Sequence, residues 1–275
     1  MDGARKVGVV GSPIAHSLSP TIHAAAFAVL GIAWESVRLE ATAAQLPEVL
    51  SWLANPEVAG CSVTMPLKDA MVPAMDRCSE TVLALGALNC VVSEEDGSLT
   101  GHSTDGAGFV AALEHEWELE LSTQRVVVLG AGGAARAVAL AAAQLDARVS
   151  ILARREARAM EVVEQLGHGI SVATMAEVAD AEVVVNATPI GMAGTPSANE
   201  APLAVPGDMK AGALACDLVY HPLQTPWLAA CREAGHPTMD GVGMLVHQAL
   251  IAVQLWTGEE VPPEAVLAEV RGSLS

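Results

Sequence analysis

Hydrophobic positions along the chain fall into short runs that switch between strand and helix periods. Residues 6–10 (KVGVV), 34–40 (WESVRLE) and 58–65 (VAGCSVTM) read as strands, with helices over 20–31 and 43–53 between them. Ser19 supplies an N-cap and Pro20 the first helical position, while Gly11-Ser12-Pro13 and Pro66 stop strands. This β-α-β-α-β order predicts an open, mostly parallel sheet. Residues 80–92, which contain GALNCVV (86–92), read as a short helix leading into a strand that returns through 99–101 as a hairpin, and a long helix follows Asp105-Gly106.

The βα rhythm then restarts. Strands are expected at 125–129, 148–152, 170–174, 182–186 and 213–219, and helices from Ala134 and over 156–167, 226–234, 244–256 and 262–274. The helix over 244–256 is apolar all round and should be buried. Residues 194–208 read as a Pro/Ser/Gly loop. The expected organisation is two α/β domains with the catalytic cleft between them. One is an N-terminal substrate domain of residues 1–105 and 241–275. The other is a Rossmann-like dinucleotide domain of residues 106–240, entered by a connector helix over 106–120.

The second domain opens on RVVVLGAGGAARAVALAAAQL, residues 125–145. A β-branched run, a glycine turn and an Ala/Leu helix together give G-x-G-x-x-A, with Ala135 in the last small position. Gly130 allows the tight turn, Gly132 lets backbone approach a pyrophosphate, and Ala135 lets helix pack close to strand. The phosphates then meet the helix N-terminus. The next strand ends in Ala153-Arg154-Arg155, with Arg158 one turn on and no acid at the strand end. An acid there would take a ribose 2′-hydroxyl; guanidiniums suit a 2′-phosphate. The expected cofactor is therefore NADP(H).

The chain has 275 residues and a formal net charge of −18. That charge argues against a nucleic-acid partner, which needs clustered cations, but not against a small anion held by a few local ones. The five cysteines are scattered, odd in number and without CxxC spacing, which favours reduced thiols in the cytoplasm. Neither a signal peptide nor an apolar run long enough for a membrane span is expected. The eight histidines show no metal spacing.

Polar residues recur where packing does not ask for them: GSPIAHSLSP (11–20), SVTMPLK (62–68), GALNCVV (86–92), GHSTDG (101–106), NATPIGM (186–192), DLVY (217–220), and DGVGMLVHQ (240–248) followed by LWTG (255–258). Taken together and in register over nearly the whole chain, these motifs closely resemble those of shikimate dehydrogenases. The resemblance implies NADPH-dependent reduction of 3-dehydroshikimate to shikimate, a step toward chorismate and the aromatic amino acids.

It also implies roles for residues. Lys68 and Asp105 match the catalytic pair, Lys68 as acid/base and Asp105 orienting it and the substrate; taken alone they read as a surface lysine and a helix N-cap. Ser17 and Ser19 match serines that bind the substrate carboxylate, and Tyr220 lies in a motif at the same group. Asn89 and Gln248 match ring-hydroxyl ligands, with Ser62 and Thr64 beside them. The cofactor set is Gly130, Ala131, Gly132, Gly133, Ala134, Arg154, Arg155, Arg158, Asn186, Ala187, Thr188, Leu218, Gly241 and Met244. Ser62, Ser103, Cys90 and Ala153 depart from residues the family often carries there (Asn, Asn, Thr and Asn). Two other readings stand beside this one: a quinate/shikimate dehydrogenase with broader substrate or NAD use, and a non-catalytic NADP-binding regulator. A monomer or a homodimer fits the sequence.

Overall fold

The structure, a computed structural model, describes residues 5–274. Residues 1–4 and 275, at the two ends of the first expected domain, lie outside the described residues. The chain divides into two compact units, one of 5–104 with Val246–Ser273 and one from Asp105–Leu245. The return to the first unit therefore falls inside a helix, at Leu245/Val246, rather than at 240/241.

The first unit runs β1 (Lys6–Gly11), α1 (Ser19–Leu30), β2 (Glu35–Glu40), α2 (Leu46–Leu53), β3 (Val58–Val63), α3 (Leu67–Ala70), β4 (Arg77–Cys78), α4 (Glu80–Leu85), β5 (Cys90–Ser93) and β6 (Leu99–His102). Its six strands lie in the order β2-β1-β3-β5-β6-β4. β2–β1, β1–β3 and β6–β4 pair in parallel, while β3–β5 and β5–β6 pair antiparallel. The hairpin is what makes this sheet mixed: Gly97, at φ +82°, turns the chain so that Glu94 and Ser98 close it. β3 is buried along its whole length, and Val58, Cys61 and Val63 pack with Val10, Leu53, Leu67 and Leu88.

One capping expectation fails. Helix α1 begins at Ser19 itself, behind Leu18, and Ser19 makes no side-chain cap. Instead the Ser17 hydroxyl oxygen accepts from the Ser19 N–H at 3.3 Å. Helix α3 and strand β4 are further elements that the periodicity did not announce; at four and two residues they are too short to show a period.

The second unit holds α5 (Asp105–Trp117), β7 (Arg125–Leu129), α6 (Gly133–Gln144), β8 (Arg148–Leu152), α7 (Glu156–Leu166), β9 (Ser171–Val172), α8 (Met175–Asp180), β10 (Val183–Asn186), β11 (Leu214–Asp217), α9 (Pro226–Glu233) and β12 (Thr238–Met239). Its sheet is parallel throughout, in the order β12-β11-β10-β7-β8-β9. This is the doubly wound order, and the chain's direction of travel reverses between β7 and β10. Val126, Val127, Val128 and Leu129 are each at most 1% exposed, as a strand covered on both faces requires. α5 packs closely on α6: a Cβ at Gly106 would stand 2.5 Å from the Ala137 carbonyl oxygen, so only glycine fits. α10 (Val242–Thr257) starts in this unit and passes into the first, where α11 (Pro263–Ser273) ends the described chain. α10 is buried on most sides, yet Gln254 and Leu255 face solvent. No helix among the described residues is long and apolar enough to cross a membrane.

Candidate functional site

In a doubly wound sheet, ligands settle beyond the carboxyl ends of the strands at the point of reversal. Here that point lies between the residues after β7 and those after β10. A cavity of about 430 Å³ opens there. Gly130, Ala131 and Gly132 form one side, Ala187, Thr188, Pro189 and Ile190 another, and Ala153, Arg154, Arg155 and Arg158 a third. Gly130 sits at φ +118°, and a Cβ there would come within 3.0 Å of Thr188 Cγ2, so the turn needs glycine. At Gly132 a Cβ would meet nothing within 4 Å, which is the space a pyrophosphate needs beside bare backbone. α6 then starts at Gly133, one residue earlier than expected, and points its free N–H groups at the turn.

The arginines differ among themselves. Arg158 is ion-paired with Glu161 on the same helix. Arg154 and Arg155 are exposed and, among the described residues, no hydrogen bond or ion pair holds their guanidiniums. Two unengaged guanidiniums lining this cavity suit a 2′-phosphate. The residues present thus fit NADP(H). Ser197, Glu200 and Leu203 also line the cavity. They belong to the loop expected over 194–208, and nothing in their local pattern marks them; tertiary folding brings them there. Trp227 fastens that loop by donating from Nε1 to the Ala204 carbonyl at 2.8 Å.

Not every expected cofactor residue lines this cavity. Gly133, Ala134, Asn186, Leu218, Gly241 and Met244 do not. Asn186 stands directly behind the wall: its Oδ1 accepts from the Thr188 N–H and O–H at 3.1 and 2.6 Å. Gly241 and Leu218 come together, since a Cβ at Gly241 would lie 2.4 Å from the Leu218 carbonyl oxygen. Met244 is buried and Tyr220 half-buried, and burial raises the Tyr220 pKa.

In the first unit the polar residues gather at the carboxyl end of β3. Ser12 N–H donates to the Met65 carbonyl, Thr64 N–H to Val10, and Leu88 N–H to the Lys68 carbonyl at 2.8 Å. These bonds tie the 11–20 loop, the Thr64–Lys68 turn and the approach to β5 into one patch. Asn89 lies in it, 4% exposed. Its Nδ2 donates to Thr104 Oγ1 and Gln248 Oε1, while its Oδ1 accepts from the Thr104 N–H at 2.7 Å. Both amide hydrogens being taken, Asn89 meets any further partner as an acceptor. Thr104 closes the cluster by donating to the Gln248 carbonyl. Thr104 has no expected role; the sequence shows only a hydroxyl residue inside GHSTDG, and its burial against Asn89 and Gln248 appears in the fold alone. Asp105, the first residue of α5, belongs to the second unit.

Three family models match successive parts of the chain: a shikimate dehydrogenase substrate binding domain over residues 9–91, an NADP oxidoreductase, coenzyme F420-dependent, over 125–200, and a shikimate 5′-dehydrogenase C-terminal domain over 241–271. A protein of Methanopyrus kandleri named shikimate dehydrogenase (NADP(+)) is 36% identical over 280 residues, covering 96% of each chain. The chain belongs to the shikimate dehydrogenase family. A namesake from Streptococcus pneumoniae is 34% identical over 282 residues, covering 97% of this chain and 96% of its own. Among solved structures, the shikimate 5-dehydrogenase of Thermus thermophilus in complex with NADP(H) and shikimate aligns with a TM-score of 0.90 at 32% identity, over 98% of this chain and 100% of that one.

Within this family the chain carries an unexpected partner for Ser62. The Ser62 hydroxyl lies 3.3 Å from His23 Nε2, and Ser36 Oγ lies 2.8 Å from His23 Nδ1. The imidazole is fully buried, edge-on to Trp256 at 5.1 Å, and burial pushes its pKa down to about 3. The ring is therefore neutral in the fold, and it holds the short serine arm in place. The unfolded chain binds a proton near pH 6.5 that the folded chain refuses until about pH 3. Stability from this residue should thus be intact above pH 6.5 and fall by about 1.4 kcal/mol per pH unit below it. Urea unfolding at pH 7 and pH 5 tests this: relative to wild type, His23→Gln should lose about 2 kcal/mol less between those pH values. Equal losses would contradict the assignment.

Proposed function

We propose that this chain catalyses the reversible, NADPH-dependent reduction of 3-dehydroshikimate to shikimate, with its second unit binding NADP(H) and its first unit supplying most of the residues that bind the substrate. The observation that carries this reading is the near-complete alignment with a relative named for the activity, across both units. Reducing a ring ketone takes a hydride on carbon and a proton on oxygen. NADPH supplies the hydride when bound. The Lys68 ammonium gives the proton to the carbonyl oxygen and takes it back in the reverse direction. Asp105 accepts from a ring hydroxyl and orients the ring. Ser17 Oγ already accepts from the Ser19 N–H, which leaves its O–H to donate to the substrate carboxylate together with Ser19 and Tyr220. Asn89, as an acceptor, and Gln248 hold ring hydroxyls with Ser62 and Thr64.

On the other unit, the backbone at Gly130–Gly133 and Ala134 receives the pyrophosphate. Arg154, Arg155 and Arg158 take the 2′-phosphate. Ala187, Thr188, Leu218, Gly241 and Met244 lie along the nicotinamide side. The same reading places the enzyme in the cytoplasm, with its five free cysteines reduced, as a monomer or homodimer. Steady-state kinetics with NADP+ and either shikimate or quinate test the substrate assignment. We expect the higher kcat/KM on shikimate; a higher value on quinate would overturn it.

A further inference from the structure

We propose that Asp217 is a positioning residue for the dinucleotide pocket: its carboxylate fixes the Asn186 amide, and through it the Ala187–Ile190 wall. The proposal rests on reading that pocket as the NADP(H) site.

Asp217 ends β11 and Asn186 ends β10, and the two are register partners. They are 1% and 0% exposed. Among the described residues no ion pair holds Asp217. Three donors do: Asn186 Nδ2 at 2.9 Å and the Val219 N–H at 3.0 Å reach Oδ1, and the Thr225 O–H at 2.7 Å reaches Oδ2. Of the charged groups around it, Asp240 after β12 acts on Asp217, and Asp217 in turn acts on Cys231 on α9 and Cys216 beside it in β11. Burial pushes both thiols well up, so they are neutral. Burial likewise raises Asp217 itself to about 6, against its three hydrogen bonds and with Asp240 adding to the rise. A buried carboxylate without a cation burdens a fold, and an amide of the same shape would burden it less.

What a carboxylate adds is direction. It only accepts, so Asn186 must turn its Nδ2 toward it. The Asn186 Oδ1 then faces Thr188, whose N–H and O–H both donate to it, while Nδ2 also reaches the Ile190 carbonyl at 3.2 Å. Thr188 Oγ1 in turn accepts from the Ile190 N–H at 3.3 Å. Residues 187–190 are thereby folded around one amide, and they form the wall facing the glycine turn. An amide at 217 would keep its oxygen toward the Val219 N–H and Asn186, but it would set an NH2 group against the Thr225 O–H and lose the charge that strengthens the bond to Asn186.

The test is NADPH affinity by fluorescence titration between pH 5 and 8, alongside steady-state kinetics, for wild type, Asp217→Asn and Thr225→Val. Asp217→Asn should raise the Kd and KM for NADPH about tenfold while leaving the KM for shikimate in place. Wild-type affinity should weaken as pH falls through about 6, and Asp217→Asn should lack that component; their difference removes the titration of the cofactor phosphate. Thr225→Val keeps the carboxylate but removes one donor to it, so the wild-type midpoint should move to higher pH. This arm decides the matter even where Asp217→Asn fails to fold. Wild-type NADPH affinity in Asp217→Asn, an equal rise in both KM values, or an unmoved midpoint in Thr225→Val would each overturn the proposal. A wild type that binds no NADPH overturns the pocket reading, and this proposal with it.

Discussion

Lys68→Ala should lower kcat by about 10²–10⁴-fold, the range removed when a general acid is lost. The KM values for shikimate and NADP+ should change little, because the truncated ammonium acts on the reacting oxygen and the remaining polar patch still holds the ring. The geometry supports a local effect. Lys68 lies in the short helix α3, whose own backbone is tied to the approach to β5 by the Leu88–Lys68 hydrogen bond. That bond uses the main chain and survives the substitution. Stopped-flow and steady-state kinetics on a variant that binds both ligands check this. A near-normal kcat would remove Lys68 from the chemistry.

The second large effect belongs to the arginines. Arg154 and Arg155 carry no partner among the described residues, so their guanidiniums lose little on engaging a phosphate. A hydrogen bond to a charged group contributes about 1.5–3 kcal/mol. Replacing both with alanine should therefore cut kcat/KM for NADP+ by about 10²-fold or more, and leave the much lower value for NAD+ nearly unchanged. Arg158 is already held by Glu161, so Arg158→Ala should do less. Parallel loss with both cofactors would mean that the arginines do not read the 2′-phosphate.

Much of the second unit was legible in the sequence because its signals are local. The run Val126–Leu129, the glycine turn and the Ala-rich helix are contiguous, and the structure assembles them as β7, turn and α6. The arginines follow at the end of the next strand, where the pattern put them. What the sequence hid is what arrives from far along the chain. Ser197, Glu200 and Leu203 enter the cavity through a loop whose course is set by packing, notably by Trp227 on Ala204. His23 behind Ser62 was equally hidden: a histidine on an apolar helix face gives no sign of which serine it will meet. Asp217 stood in a recognised motif, but only its burial and its three donors say what it does. In the first unit, the antiparallel pairs come from the hairpin, which was legible, while α3 and β4 are too short for any period to appear. Ser19 shows the limit of capping rules. The helix starts one residue before the expected point, and the serine next upstream takes its N–H.

The most direct test of the central claim is the absorbance at 340 nm of the purified protein mixed with shikimate and NADP+. We predict a rise as reduced cofactor forms, much faster with NADP+ than with NAD+, and its loss in Lys68→Ala. A folded protein that binds NADP+ yet gives no rise with shikimate would contradict the account.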